Sequence, residues 1–232
     1  MTINAQYNVA APDSLPIKIA KHQREKMFAA FFGILKINEN HSILDVGVTS
    51  DRTYDHSNYL VAWSPLKARI TAVGLDDAGF LETLYPGTKF VRADGRSLPF
   101  ADNSFDFVHS SAVLEHVGNA ERQAQFLKEL SRVARRGIFV TTPNRWFPVE
   151  FHTVLPLVHW LPKVAFRSVL RMIGKDFFAD ENNLNLLTAG DLSRLAHAAG
   201  IDKFAITTVS LAGWPTNLLL SATKHPTPRL GL

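Results

Sequence analysis

Ser42-Ile43-Leu44-Asp45-Val46-Gly47 is a short apolar run that stops at an acid and a glycine, the pattern of a strand buried on both faces. The pattern recurs downstream. Arg69 to Gly74 (RITAVG) reads as a second strand, Lys89-Phe90-Val91 as a third and Ser104 to His109 (SFDFVH) as a fourth. Gly137 to Thr142 (GIFVTT) reads as a fifth, stopped by Pro143. Helical patterns lie between them: a weaker one at 57–68, and ERQAQFLKELSRVARR after Asn119, with Phe126, Leu127, Leu130, Val133 and Ala134 on one face. Asn119 suits that helix's N-cap, and Gly137 its left-handed stop. Strands alternating with helices imply a parallel sheet covered on both faces.

Further out, residues 17–36 carry Ile19, Ala20, Met27, Phe28, Phe31, Phe32 and Leu35 at helical spacing, an amphipathic helix ahead of the core. After an irregular insert, Thr188-Ala189-Gly190-Asp191 resembles a capping box, followed by Leu192, Leu195, Ala196 and Ala199 on one face and Gly200 as a stop. Two last strands, at about 203–211 and 217–223, flank Gly213-Trp214-Pro215, and so short a connection makes them antiparallel. The expected fold is α/β: a doubly wound, seven-stranded, mostly parallel sheet with a C-terminal antiparallel hairpin. One domain spans 1–232, with an N-terminal helix (14–37), a ligand-binding core (40–143), a lid (144–187) and a C-terminal helix and hairpin (188–232).

Composition narrows the class. The 232 residues are 46% hydrophobic, too apolar for disorder and long enough for a sizeable core. The chain has no cysteine, which excludes a disulfide scaffold, a cysteine-ligated metal and a thiol nucleophile. A formal net charge of +4 is too mild for a nucleic-acid coat. Residues 1–20 lack a secretory pattern, and no uncharged apolar run approaches the roughly 18 residues of a membrane span. The expectation is a cytoplasmic protein.

In open α/β sheets ligands sit beyond the carboxyl ends of the strands. Those ends carry Asp45 and Gly47, then Asp76 and Asp77, then Asp94 and Gly95, then Ser110 and Ser111. An acid after the second strand can accept from two ribose hydroxyls, and one after the third from an adenine amino group. The phosphate half of a dinucleotide site is missing: Gly47-Val48-Thr49-Ser50-Asp51 is no G-x-G-x-x-G. An adenosine ligand without phosphates, tolerant of nearby carboxylates, points to a sulfonium.

The run Leu98-Pro99-Phe100-Ala101-Asp102-Asn103-Ser104-Phe105-Asp106-Phe107-Val108, with Leu114-Glu115-His116-Val117 after it, resembles class I S-adenosylmethionine-dependent methyltransferases. The likeness, over about residues 40–145, is nearest to the small-molecule group that includes ubiquinone and menaquinone C-methyltransferases. It implies S-adenosylmethionine as cofactor. Asp45 and Gly47 would be the acid and first glycine of its loop, Asp76 the ribose acid, Asp94 and Gly95 the adenine pair, and Ser110 and Ser111 the neighbours of the methionine part. Thr49 and Asp51 stand where the family's second and third glycines belong. Either the loop takes another path or cofactor binding is weakened.

A hydroxyl acceptor benefits from a general base, most often histidine. The candidates are His116, after the fourth strand, and Glu150 and His152, in the loop after the fifth. The Glu150/His152 and His152/His159 spacings resemble metal pairs, but no third ligand stands out in sequence, and no metal is expected. Residues 152–174 set Lys163, Arg167 and Arg171 among apolar residues at helical spacing, as in a basic amphipathic helix. It is either a lid helix on the sheet edge or one that admits a membrane-borne acceptor. Arg132, Arg135 and Arg136 suit a helix C-terminus. The reading is methyl transfer to a small-molecule or lipid-linked acceptor, at oxygen or carbon, without nucleic acid, by a protein that is cytoplasmic or peripheral at a membrane. The alternative is a degenerate fold serving as a binding scaffold.

Overall fold

The structure, a computed structural model, describes residues 14–54 and 56–224. Seven strands lie in one sheet: β1 (Ile43–Val46), β2 (Ile70–Gly74), β3 (Lys89–Arg92), β4 (Phe105–Ser111), β5 (Ala134–Pro143), β6 (Phe204–Leu211) and β7 (Trp214–Thr223). Their order is β3-β2-β1-β4-β5-β7-β6. The first five are mutually parallel, and β7 runs antiparallel to both β5 and β6. Strand order reverses between β1 and β4, so a crevice opens at their carboxyl ends.

Period-two alternation decides what covers each face. In β1, Leu44 and Val46 face α4 (Ala120–Val133) and α7 (Ala189–Ala198), packing with Phe126, Leu130 and Leu192. Ile43 faces the other way, toward Phe31 and Leu35 of α1 (Leu15–Leu35) and Leu60 of α2 (Tyr59–Trp63). Leu81 of α3 (Phe80–Leu84) completes that layer. Asn119 caps α4 by accepting from the Arg122 amide, and Thr188 with Asp191 forms the full capping box of α7.

Three expectations need correction. The fourth helix does not run to a left-handed Gly137; it ends at Val133, and β5 begins at Ala134. Pairing with β4 and β7 recruits this backbone, and a Cβ at Gly137 would lie 2.5 Å from the Ala222 carbonyl oxygen. Glycine there permits a close strand approach. The hairpin is tighter than expected: Ala212 and Gly213 alone turn it, at φ 48° and 83°, the two positive values a two-residue turn favours. Trp214 and Pro215 therefore already belong to β7, Pro215 lying where the register shifts. Finally, 152–174 is not one helix. Only α5 (Lys163–Met172) is helical, after a 3-10 turn at Val158–Trp160, because Pro156 and Pro162 interrupt the pattern. Phe166 and Leu170 of α5 pack with Phe178 of α6 (Asp176–Ala179) and with Leu184 and Leu186, a small core of the lid's own.

The arginines expected at a solvated helix end are more committed than that: Arg132 closes α4, and Arg135 and Arg136 open β5. Arg132 reaches Asp102, Glu129 and the carbonyls of Leu98 and Phe100. Arg135 and Arg136 both pair with Asp106, at 2.6 and 2.9 Å. Asp106 also accepts from the Ser42 amide and hydroxyl. Burial alone would raise its pKa, but Arg135 and Ser42 overcome that and hold it at about 2. Asp106→Asn is expected to cost about 2 kcal/mol at neutral pH, since hydrogen bonds to a charged group are lost. Because the folded pKa is depressed, this contribution is full above about pH 4 and fades as pH falls toward 2. Denaturant midpoints of the two proteins should therefore converge in acid.

Candidate active site

Beyond the carboxyl ends of β1 to β5 lies a cavity of about 450 Å³, within the range of small-molecule sites. Gly47, Gly74, Asp94, Ser111 and Pro143 mark the five strand ends on its wall. Pro16, Gln23, Arg24 and Met27 of α1 roof it, and Phe151 and His152 of the lid close another side. Gly47 has φ 100°, and a Cβ there would sit 2.1 Å from Val113 Cγ2. A side chain at Gly95 would strike the Phe126 ring at 2.4 Å. Both glycines let the strand ends approach the wall closely.

The loop after β1 takes its own path. Asn58 accepts from the Thr49 amide and donates to the Thr49 carbonyl, and the Asp51 amide donates to Thr49 Oγ1. Neither Thr49 nor Asp51 adopts a positive φ. The positions that lack the family's glycines thus need no glycine conformation here.

The expected cofactor residues divide into three groups. Asp94, Gly95, Gly47 and Ser111 line the cavity. Asp94 is gripped at both carboxylate oxygens by Arg96, whose hydrogen bonds lower its pKa. Ser111 Oγ lies 2.8 Å from Thr141 Oγ1. Asp76 is half-buried, one residue beyond Leu75, which lines the wall. Asp45 and Ser110 are buried to one side of the cavity. Asp45 Oδ1 lies 2.7 Å from His109 Nδ1, and His109 Nε2 lies 2.9 Å from the Tyr59 hydroxyl. Burial raises the Tyr59 pKa, so this chain is a buried brace between β1, β4 and α2. Ser110 Oγ is buried without a hydrogen-bond partner.

The three proposed acid–base residues come together, though two lie far apart in sequence. His116 Nε2 and His152 Nε2 are 3.0 Å apart, and His152 Nδ1 is 2.7 Å from Glu150 Oε1. Glu150 also accepts from the amides of His152 and Thr153. His116 Nδ1 is 2.6 Å from the Asn183 carbonyl. Burial drives His116 down to about 3, keeping it neutral. Burial would raise Glu150, but His152 and the bonds it accepts hold it at about 2. Burial opposes charge on His152 too, yet Glu150 raises its pKa. His116 and His152 reach the cavity wall.

Two members of this site carry weak signals in sequence. Glu115 is fully buried beside His116, with Oε2 accepting from the Thr142 hydroxyl and Oε1 unpartnered. Its sequence signal is membership of the Leu114–Val117 run beside His116, which marks the family likeness and not a role for the carboxylate. Gln23 is buried, lines the cavity and leaves its Nε2 donor without a hydrogen-bond partner. Nothing in an amphipathic helix pattern marks it. That idle donor, the volume and the small-residue wall fit an adenosyl amino acid with hydroxyl and carboxylate acceptors.

Residues 44–141 match the methyltransferase domain family. An uncharacterized methyltransferase of Mycobacterium avium (strain 104) is 35% identical over 128 residues, 54% of this chain and 47% of that protein. One from Mycobacterium tuberculosis (strain ATCC 25618 / H37Rv) is 35% identical over 140 residues, 60% of this chain and 51% of the relative. The chain thus spans about half the length of these curated relatives. Among solved structures, an Aquifex aeolicus S-adenosylmethionine-dependent methyltransferase superposes with TM-score 0.57 at 14% identity, covering 91% of this chain and 99% of that one. Magnesium protoporphyrin IX methyltransferase from Synechocystis PCC 6803, solved with S-adenosylhomocysteine bound, gives 0.57 at 15% identity, with 96% and 92% covered. These structures share the fold with this chain, and residues 44–141 match the methyltransferase domain family.

Proposed function

We propose that the protein transfers a methyl group from S-adenosylmethionine to a small-molecule acceptor, at oxygen or carbon, inside the cavity between the strand ends and the lid. The observation that carries this reading is the pair His116 and His152 on the wall of that cavity, with the buried Glu150 carboxylate behind His152. When bound, S-adenosylmethionine supplies an electrophilic methyl group on a sulfonium. Gly47, Asp76, Asp94, Gly95 and Ser111 hold the adenosyl amino acid at the strand ends, and Asp45 and Ser110 support that wall from behind. Alignment of acceptor and methyl group does most of the work in such a displacement. His152, steadied by Glu150 and adjoining His116, receives the acceptor's proton. Calorimetry with S-adenosylhomocysteine tests the cofactor half. The expected result is saturable binding, weakened at least tenfold by Asp76→Ala and by Gly47→Ala, the latter with a stability loss of about 2 kcal/mol from strain at positive φ. No binding by the wild type overturns the reading in favour of a scaffold.

The lid supports a finer statement, that the acceptor carries an apolar, lipid-like portion. Among the described residues no helix is long and apolar enough to cross a membrane. Yet Trp146, Leu157, Leu161 and Val164 are exposed on the lid, with Trp214 exposed beside them. Trp160 stacks on Trp214 and meets Trp146 edge-on. Exposed tryptophans suit a membrane interface. Wild type is expected to co-sediment with phosphatidylglycerol vesicles, and a Trp146→Ser/Leu161→Ser variant to stay in solution. Wild type that stays in solution removes the lipid portion and leaves the small-molecule reading intact.

A further inference from the structure

Two separate stretches of chain bring three lone pairs to one point on the cavity wall. His116 Nε2 and His152 Nε2 are 3.0 Å apart, Glu115 Oε1 lies 3.8 Å from His116 Nε2, and the three donor atoms all fall within 4.8 Å. The far side of each ring is committed. His116 Nδ1 faces the Asn183 carbonyl and His152 Nδ1 faces the Glu150 carboxylate. Both partners only accept, so each Nδ1 carries a hydrogen and donates it. In neutral rings the two Nε2 atoms then turn lone pairs toward each other at 3.0 Å. Such an approach is stable only with a cation on or between them.

Two cations fit the rings, but they treat Glu115 differently. A proton on His152 serves the imidazoles alone and leaves Glu115 Oε1 buried with no hydrogen-bond partner. A divalent ion serves all three. Bonds of about 2.0–2.1 Å at tetrahedral angles set donor atoms roughly 3.3 Å apart, and the observed 3.0 and 3.8 Å bracket that spacing. A carboxylate and a carbonyl behind the two rings are the partners that orient metal-bound histidines. We propose that Glu115, His116 and His152 hold a divalent metal ion of the borderline class that imidazole and carboxylate favour, zinc foremost. Glu150 and the Asn183 carbonyl orient the rings, and His116 and His152 leave a fourth position open toward the cavity.

Three protein ligands and one open position describe a catalytic rather than a structural site. An acceptor hydroxyl taken as the fourth ligand releases its proton to solvent more readily, so Lewis acidity replaces proton acceptance at the same atoms. That consequence rests on the function proposed above; the metal site itself does not.

The test uses the untagged chain, stripped with EDTA and titrated with Zn2+ in a calorimeter. One equivalent is expected, with binding weakened at least 100-fold in His116→Ala and in His152→Ala, and 10- to 100-fold in Glu150→Gln. No stoichiometric Zn2+ uptake by the wild type overturns the proposal, and so does uptake unchanged in both histidine variants. If a histidine variant does not fold, Co2+-loaded wild type decides: intense visible bands of low-coordinate Co2+ support the site, and the pale spectrum of hydrated Co2+ overturns it. S-adenosylhomocysteine calorimetry in EDTA separates the two readings, since cofactor binding and Zn2+ uptake are read independently.

Discussion

Asp106 is the carboxylate on which the sheet's alignment depends. It is buried at the amino end of β4, where it accepts from Ser42 just before β1 and from Arg135 and Arg136 at the start of β5. Three strands that meet only through sequence-distant pairing are thereby held in step. An unpaired carboxylate at that depth would be costly. Because strands are stiff ladders, a register fixed at the amino edge also fixes where the carboxyl ends emerge. The wall of the cavity therefore depends on an ion cluster at the opposite edge of the sheet. A second cluster, around Arg132, gives a physical reason for the rest of the Leu98–Val108 run. Arg132 gathers the Leu98 and Phe100 carbonyls, Asp102 and Glu129, so the polar letters of that run fasten the β3–β4 connection to α4.

Much of the fold was legible because its central strands are buried on both faces, which leaves mostly apolar runs such as Ile43 to Val46, interrupted by Asp45. The errors arose where a tertiary partner overrode a local pattern. Val133-Ala134-Arg135-Arg136 reads as helix, but β4 claims the backbone from Ala134 and β7 from Gly137. The apolar-basic pattern across 152–174 is real, yet Pro156 and Pro162 divide it, and its cations are partly spent inside the lid: Lys163 on Asn185 and Arg167 on Glu181.

The candidate site was legible by position and much less so by partner. A strand end places an acid near the crevice, but where its carboxylate points depends on what it meets. Asp94 meets Arg96, two residues along, and stays on the wall. Asp45 meets His109, far along the chain, and turns into the interior, where the His109 ring lies against Phe31 and Phe139. An alternating strand cannot present every side chain to one face. With Leu44 and Val46 facing α4, Asp45 faces α1 and α2, where only a polar partner makes its burial tolerable. His109, opposite it in register, is that partner.

Glu115, His116 and His152 illustrate the same limit more sharply. Spacing within the 150–159 segment offered the pairs Glu150/His152 and His152/His159 and no third ligand; of the cluster only His152 lies there, and Glu115 and His116 come from the turn after β4. That turn is brought to the lid by backbone bonds, notably from the Asn185 amide to the Glu115 carbonyl. Asn185 also donates to the Gly118 carbonyl, while Gln123 donates to the carbonyls of Leu114 and Asn185. These buried amides stitch the lid to the sheet, and the cluster of imidazoles and carboxylates sits at the seam. A cation there, proton or metal, offsets the negative charge of Glu150 and serves the two facing lone pairs. That point ties two parts of the chain together, since Glu115 and His116 belong to the sheet side of the seam and His152 to the lid.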